Sequence, residues 1–433
     1  MIRPYLSACR PLPSVKSCFN LCVNYLRDVL EESNDRLTDR VGIGVLTRVV
    51  PRDLVDEVLN QTGKNEKRTR LLPARVVVYY VLALTLFFGD SYEEVVRQLV
   101  NGLRFLRAWR SEWHVPTTGA ISKARIRLGT KPLKELFHRV ATPIATPGTR
   151  GAWYRGHRVM ALDGMILDVP DTPENVARFE KREHGDEASA YPQVRVVGLA
   201  ECGTHALVAA ALDRWRVYER ELTERLLAQF EQDMLILADR GFYSYDLFTQ
   251  ARETDAALLW RVSKSLRLPI LEELPDGSYR SELLPPQLKT DLNKKRKRQV
   301  PDGARIPIRV IEYRVSNRDA SETIRLITTL TNHEQSPARE LAALYAERWE
   351  LELAFDEIET HQVANYRVLR SKKPDLVEQE IWGLLITHYA IRHLMHQAAD
   401  DIDIDEDRLS FIRSIRVVRR NITSDADFPP SPD

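Results

Sequence analysis

The sequence predicts a mixed α/β protein in which a sheet core carries a β-rich insertion and follows an all-helical N-terminal region. Three observations carry that prediction. Between residues 46 and 140 the apolar positions return at a period near 3.6. After Gly148 the pattern changes to short β-rich runs separated by turns. A Pro- and Gly-punctuated stretch, 263–337, then interrupts the alternation of strand and helix before helical periodicity resumes.

Composition bounds the rest. The chain has 433 residues, 43% hydrophobic and 29% charged, which suits folded domains with sizeable cores and excludes disorder, collagen and a disulfide scaffold. Lys+Arg 63 against Asp+Glu 62 leaves a formal charge of +1, so whole-chain charge names no partner. Cys9, Cys18, Cys22 and Cys202 lack zinc-site spacing and fit a reducing compartment. The longest apolar run, Val76 to Phe88, falls short of the roughly 18 residues a membrane span needs and reads as a buried core helix. Pro4, Pro11 and Pro13 interrupt the N-terminus where a signal peptide would be continuously apolar. The expectation is a cytoplasmic protein without a membrane partner.

Residues 1–38 read as a poorly defined arm. Residues 39–147 read as a helical DNA-binding domain: Asp53 to Leu59 is amphipathic, and Ser91 caps a run that returns Tyr92, Val95, Val96 and Leu99 on one face. From Arg104 to Arg139 there are nine Lys/Arg and two acids, a basic stripe in a neutral chain. Trp109, Trp113 and the capping residues Thr117, Thr118 and Ser122 lead into Lys123, Arg125 and Arg127, a pattern suited to phosphate contacts. A solvated helix face is the plainer account of the same charges.

Three strands follow as a meander: Arg158 to Val169, Gln193 to Ala200 and Ala206 to Leu212, the last two joined through Cys202-Gly203-Thr204. Next come a helical stretch from Glu219 to Phe230, a strand from Met234 to Ala238, a helix from Tyr245 to Arg252 and a strand from Ala256 to Val262. The order β-β-β-α-β-α-β is that of an RNase-H-like mixed sheet, assigned to 155–262 together with 338–398. The β-rich insertion 263–337 contains the strand-like runs Ile306 to Val315 and Thr323 to Leu330. Its basic run, beginning Lys294, Lys295, Arg296, reads either as a solvated loop or as a DNA-backbone contact. Helices resume from Glu340 through Gln362 and from Leu376 to Gln397. Residues 399–433 read as an acidic linker and a basic C-terminal helix bearing Arg413, Arg416, Arg419 and Arg420.

Three carboxylates stand out by position. Asp163 lies mid-strand in apolar surroundings, where an acid is costly without a cation or donors. Asp239 ends an apolar strand, the place where α/β proteins hold ligands. An acid turned to solvent would account for the first and a helix cap for the second. Glu352 follows Tyr345 and Arg348 at helical spacing, with Glu359 seven residues further on, which predicts one helix face. An aromatic ring, a guanidinium and a carboxylate in line suit a phosphodiester: stacking on a base, a grip on phosphate, and metal binding. A structural ion pair is the other reading of Arg348 and Glu352. His184, His361, His388 and His393 show no metal spacing.

With Leu162-Asp163-Gly164, Asp168 to Asn175, Ala238-Asp239-Arg240-Gly241-Phe242 and the Tyr345, Arg348, Glu352 series in this order, the sequence resembles the DDE transposases of the insertion-sequence-four family from about Leu46 to Arg420. The resemblance implies an RNase-H-like core interrupted by a β insertion, with Asp163, Asp239 and Glu352 as a catalytic, metal-binding triad. Such a triad suits two Mg²⁺ ions, with Mn²⁺ as substitute. It also implies a cut-and-paste enzyme that hydrolyses and joins DNA, with terminal inverted repeats and target DNA as partners. A homodimer in a synaptic complex is expected, and no small-molecule substrate. Two positions depart from the family. Glu359 stands where the signature has Lys, which makes an impaired copy that binds inverted repeats without cutting the alternative function. The strand Thr323 to Leu330 lacks the Trp that some relatives insert for base flipping.

Overall fold

The β-rich runs after Gly148 pair into one continuous sheet. The computed structural model describes residues 44–65, 72–104, 115–182, 189–286, 304–317, 320–363 and 368–424. The 1–38 arm, Trp109, Trp113, His184 and the basic run containing Lys294, Lys295 and Arg296 lie outside the described residues. The strands are β1 (Trp153–Tyr154), β2 (His157–Asp168), β3 (Gln193–Glu201), β4 (Ala206–Arg214), β5 (Met234–Ala238), β6 (Ala257–Arg261), β7 (Glu272–Glu273), β8 (Tyr279–Leu283), β9 (Ile306–Asn317) and β10 (Ala320–Thr328). Their order is β4-β3-β2-β5-β6-β10-β9-β8-β7, with β1 paired to β2 off that path.

The meander β2-β3-β4 is antiparallel, whereas β5 joins β2 in parallel and β6 joins β5 in parallel. This is the predicted RNase-H-like mixed sheet. The inserted segment refines the expectation, because β10 pairs antiparallel with β6, Leu326 opposite Arg261, and carries the same sheet outward. An exposed β6 edge would leave a row of unpaired backbone groups. The insertion therefore interrupts the core in sequence but continues it in space.

Side chains alternate between two apolar layers. Val159, Ala161, Met165 and Leu167 of β2 join Leu235 and Leu237 of β5 in the layer that contains the helix Pro374–Asp400. Met160 and Leu162 join Ile236 and Ala238 in the opposite layer, under the helix Tyr245–Arg252. The predicted core helix is present as Ala74–Leu86 and packs on Pro374–Asp400, with Thr85 Oγ1 3.0 Å from Thr387 Oγ1. The N-terminal helices thus share the core of the first layer. The acidic 400–407 stretch is only partly the solvated linker expected, since Glu406 is buried and bonded to His396. No described helix is long and apolar enough to cross a membrane.

Candidate active site

Leu162 opposite Ala238 is the last register pair between β2 and β5, so the next residues, Asp163 and Asp239, emerge side by side where β5 stops. Beyond that point β2 loses β5 as a neighbour, and a notch opens at the strand end before Asp168 bridges Val368. By alternation Asp163 belongs with Ala161 and Met165 on the layer of the long helix. Its Oδ1 accepts a 2.8 Å hydrogen bond from the Gly164 amide. Burial pushes the Asp163 carboxyl up to about 6, with Glu352 and Glu219 adding to the rise and Arg348 and the Gly164 amide opposing it.

The third acid arrives on a helical run made of Ala338–Leu344, a 3₁₀ turn Tyr345–Arg348, Trp349–Asp356 and a π-helical turn Glu357–Gln362. The insertion holds the start of this run: Asp276, in the Pro275-Asp276-Gly277 turn, accepts from the Ala338 amide at 2.9 Å and pairs with the buried Arg309. Gly198 of β3 is directly opposite Asp163. A methyl group there would lie 2.9 Å from the Phe355 ring, so the bare backbone is what lets the helix approach the sheet beside Asp163.

Two side chains of this run meet the strand-end acids. Arg348 donates to Glu352 Oε1 at 2.7 Å and stands 3.6 Å from Asp163 Oδ2, so one guanidinium spans two of the three acids. Burial opposes its charge, but the Glu352 bond and Asp163 hold its pKa above the ordinary arginine value. The Tyr345 hydroxyl lies 3.3 Å from Asp239 Oδ1 and 3.4 Å from the Ala238 carbonyl, and burial together with Asp239 holds its pKa far above the ordinary phenol value. Arg261 also approaches Asp239 at 3.6 Å while pairing with Glu322.

Several expected DNA contacts sit elsewhere. Tyr345 is only 4% exposed, so its ring cannot stack on a base and instead braces Asp239 from beneath. Arg348 is 5% exposed and committed to carboxylates rather than free to grip phosphate. Arg125 is wholly buried: its guanidinium donates to Gln379 Oε1, Tyr92 Oη, Ser371 Oγ and the Leu376 carbonyl, and it ties the N-terminal helices to the long helix. Arg127 is half-buried and donates to the Leu72 carbonyl at 2.7 Å, whereas Lys123 is exposed. Glu359 does not continue the Tyr345–Glu352 face, because the π-helical turn breaks the α-helical spacing. Its carboxyl is raised by burial and by Asp356 and Asp168, at the far end of β2.

Among the described residues no three His, Cys, Asp or Glu side chains are gathered closely enough to hold a metal ion, and Arg348 stands between two of the acids. The donor chemistry nevertheless fits one: Asp163, Asp239 and Glu352 offer only hard carboxylate oxygens, the ligands that Mg²⁺ and Mn²⁺ prefer. Arg261 and Glu219 also border the notch and carry no motif that sets them apart in sequence. Gly164, directly after Asp163, and Gly241, two residues after Asp239, are the signal that something approaches closely there.

A family profile for the transposase DDE domain matches residues 154–389, and one for the insertion element 4 transposase N-terminal region matches residues 40–138. The transposase InsG for insertion sequence element IS4 of Escherichia coli K12 is 29% identical over 372 residues, covering 85% of this chain and 80% of InsG. A solved piggyBac transposase synaptic complex with hairpin DNA aligns with a TM-score of 0.45 at 11% identity, over 89% of this chain and 81% of that one.

Proposed function

The chain belongs to the DDE transposases, with the N-terminal region of the insertion element 4 group, and from that premise we propose that it cuts and joins the ends of its own insertion sequence at Asp163, Asp239 and Glu352. The observation that carries this reading is the Arg348 guanidinium set between Asp163 and Glu352 beside an Asp239 braced by Tyr345. These acids come from a mid-strand position, a strand end and a helix, and Arg348 and Tyr345 tie that helix to the two strand acids.

In this reading the three carboxylates hold two Mg²⁺ or Mn²⁺ ions, which when bound supply the charge that activates an attacking oxygen and stabilises the leaving one. Tyr345 and Arg348 are positioning residues. The Tyr345 hydroxyl fixes the direction of Asp239, and Arg348 keeps Asp163 and Glu352 at a set separation while limiting their mutual repulsion. Trp349, next in the chain and 60% exposed, offers the apolar surface for a DNA base that the buried Tyr345 does not. Lys123, on the exposed side of the helix Thr118–Leu128, contributes phosphate contacts from the N-terminal region. The protein works on double-stranded DNA, terminal inverted repeats and target, as a homodimer in a synaptic complex at the bacterial nucleoid.

The test is cleavage of DNA carrying the gene's own flanks with Mg²⁺ or Mn²⁺, comparing the natural protein with Asp239→Ala. Cutting at the repeat ends, followed by strand transfer and lost in the variant, is the expected result. Salt-sensitive binding to the same DNA without any cutting by the natural protein would overturn it.

A further inference from the structure

The helix Glu219–Glu224 follows the meander and lies on the layer opposite the helix of Glu352. Its first residue reaches back to the notch. A methyl built on Gly164, the residue after Asp163, would lie 2.9 Å from Glu219 Oε1, and one built on Gly241, two residues after Asp239, would lie 3.3 Å from Glu219 Oε2. The two oxygens of one carboxylate thus rest against the backbones that carry two of the three acids. A Cβ at Gly241 would crowd the carboxylate by a few tenths of an ångström, and one at Gly164 would require it to move. Even alanine at Gly164 would force Glu219 away.

Among the described residues no hydrogen bond or ion pair holds the Glu219 carboxylate; its backbone carbonyl accepts from the Thr223 hydroxyl at 2.8 Å. Asp163 and Glu352 share Arg348, and Asp239 has Arg261, but among the described residues no arginine or lysine is paired with Glu219. A half-buried carboxylate without a partner of its own, resting against the backbones beside two other acids, is suited to a cation that arrives later.

We propose that Glu219 is a fourth carboxylate ligand of the divalent cations held at Asp163 and Asp239, reaching the notch from the sheet layer opposite Glu352. The inference rests on the proposed metal role of Asp163, Asp239 and Glu352. It adds a ligand position outside the three-acid signature and gives the glycines after Asp163 and Asp239 a reason: they admit this side chain.

The test measures Mn²⁺ binding to the full chain without DNA, by electron paramagnetic resonance and titration calorimetry, for the natural protein, Glu219→Gln, Asp163→Asn and the control Glu221→Gln, which alters an exposed acid on the same helix. Glu219→Gln is expected to weaken Mn²⁺ binding at least about tenfold while the metal-free melting temperature stays level or rises, and Glu221→Gln is expected to do neither. A merely structural glutamate would show the reverse, lower melting with unchanged Mn²⁺ affinity, and that result overturns the proposal. If Asp163→Asn weakens Mn²⁺ binding and Glu219→Gln does not, the proposal fails while the metal-site reading stands. If the natural protein binds no Mn²⁺, or Asp163→Asn leaves binding unchanged, both fail together.

Discussion

Gly198 stands directly across the β2–β3 ladder from Asp163, and the Phe355 ring of the Glu352 helix packs over it. The separation of two candidate acids is thereby set by the absence of a side chain on a third strand. Gly198→Val should push the helix off the sheet, with a stability cost of about 1–3 kcal/mol from overpacking. End cleavage should fall far more than DNA binding. Urea denaturation and cleavage assays on the same preparation measure both, and unchanged cleavage would show that the approach of Phe355 is unimportant.

Arg348→Lys keeps the charge but loses the planar fork that reaches Glu352 and Asp163 together. End cleavage is expected to drop by about two orders of magnitude, comparable to removing one preorganised electrostatic group. Affinity for repeat-end DNA should change little, because the side chain is buried. Single-turnover cleavage and gel-shift titration distinguish this from a phosphate-gripping role, in which binding would weaken in parallel.

Asp163 links the site to stability. Its carboxyl rises from an ordinary value of 3.8 to about 6, chiefly through burial, so between these pH values the folded protein holds a proton that the unfolded chain releases. This contribution is fully present below pH 3.8 and is lost as pH rises through 6, a difference of roughly 3 kcal/mol. Asp163→Asn should therefore be more stable than the natural protein at pH 7.5, with the gap closing toward pH 4. Denaturation series at pH 4, 5.5 and 7.5 test the sign.

Two members of the basic stripe should part company. Arg125→Ala strands the partners of a fully buried guanidinium and should cost about 3 kcal/mol or more of stability. Lys123→Ala, at an exposed position, should leave melting unchanged while weakening DNA binding and lowering its salt dependence by about one ion. Thermal melts and binding over a range of salt concentrations separate the two effects.

The legible parts of this protein are those where a local pattern conflicts with its surroundings or repeats at a fixed period. An acid inside Ala161-Leu162-Asp163-Gly164, an acid closing Met234 to Ala238, and Tyr345, Arg348 and Glu352 at helical spacing all marked the site from sequence. Arg125 did not reveal itself, because Lys123-Ala124-Arg125-Ile126-Arg127 looks alike on a solvated face and at a helix junction. Its partner Gln379 comes from the far part of the chain. Glu359 misled by counting: a spacing of seven keeps a face only while the helix stays α, and the π-helical turn Glu357–Gln362 ends that.

The sequence by itself determined the kinds of element, their order, the acids at the strand positions and the family to which the chain belongs, since these rest on periodicity, local chemistry and motifs within a few turns of chain. Only the tertiary structure decided that the insertion continues the core sheet through β10 and β6, that Tyr345 and Arg348 are buried against the candidate acids, and that the Glu219 carboxylate rests against Gly164 and Gly241. The physical reason is that burial and pairing depend on what packs against a residue. Those neighbours come from parts of the chain that no local pattern connects.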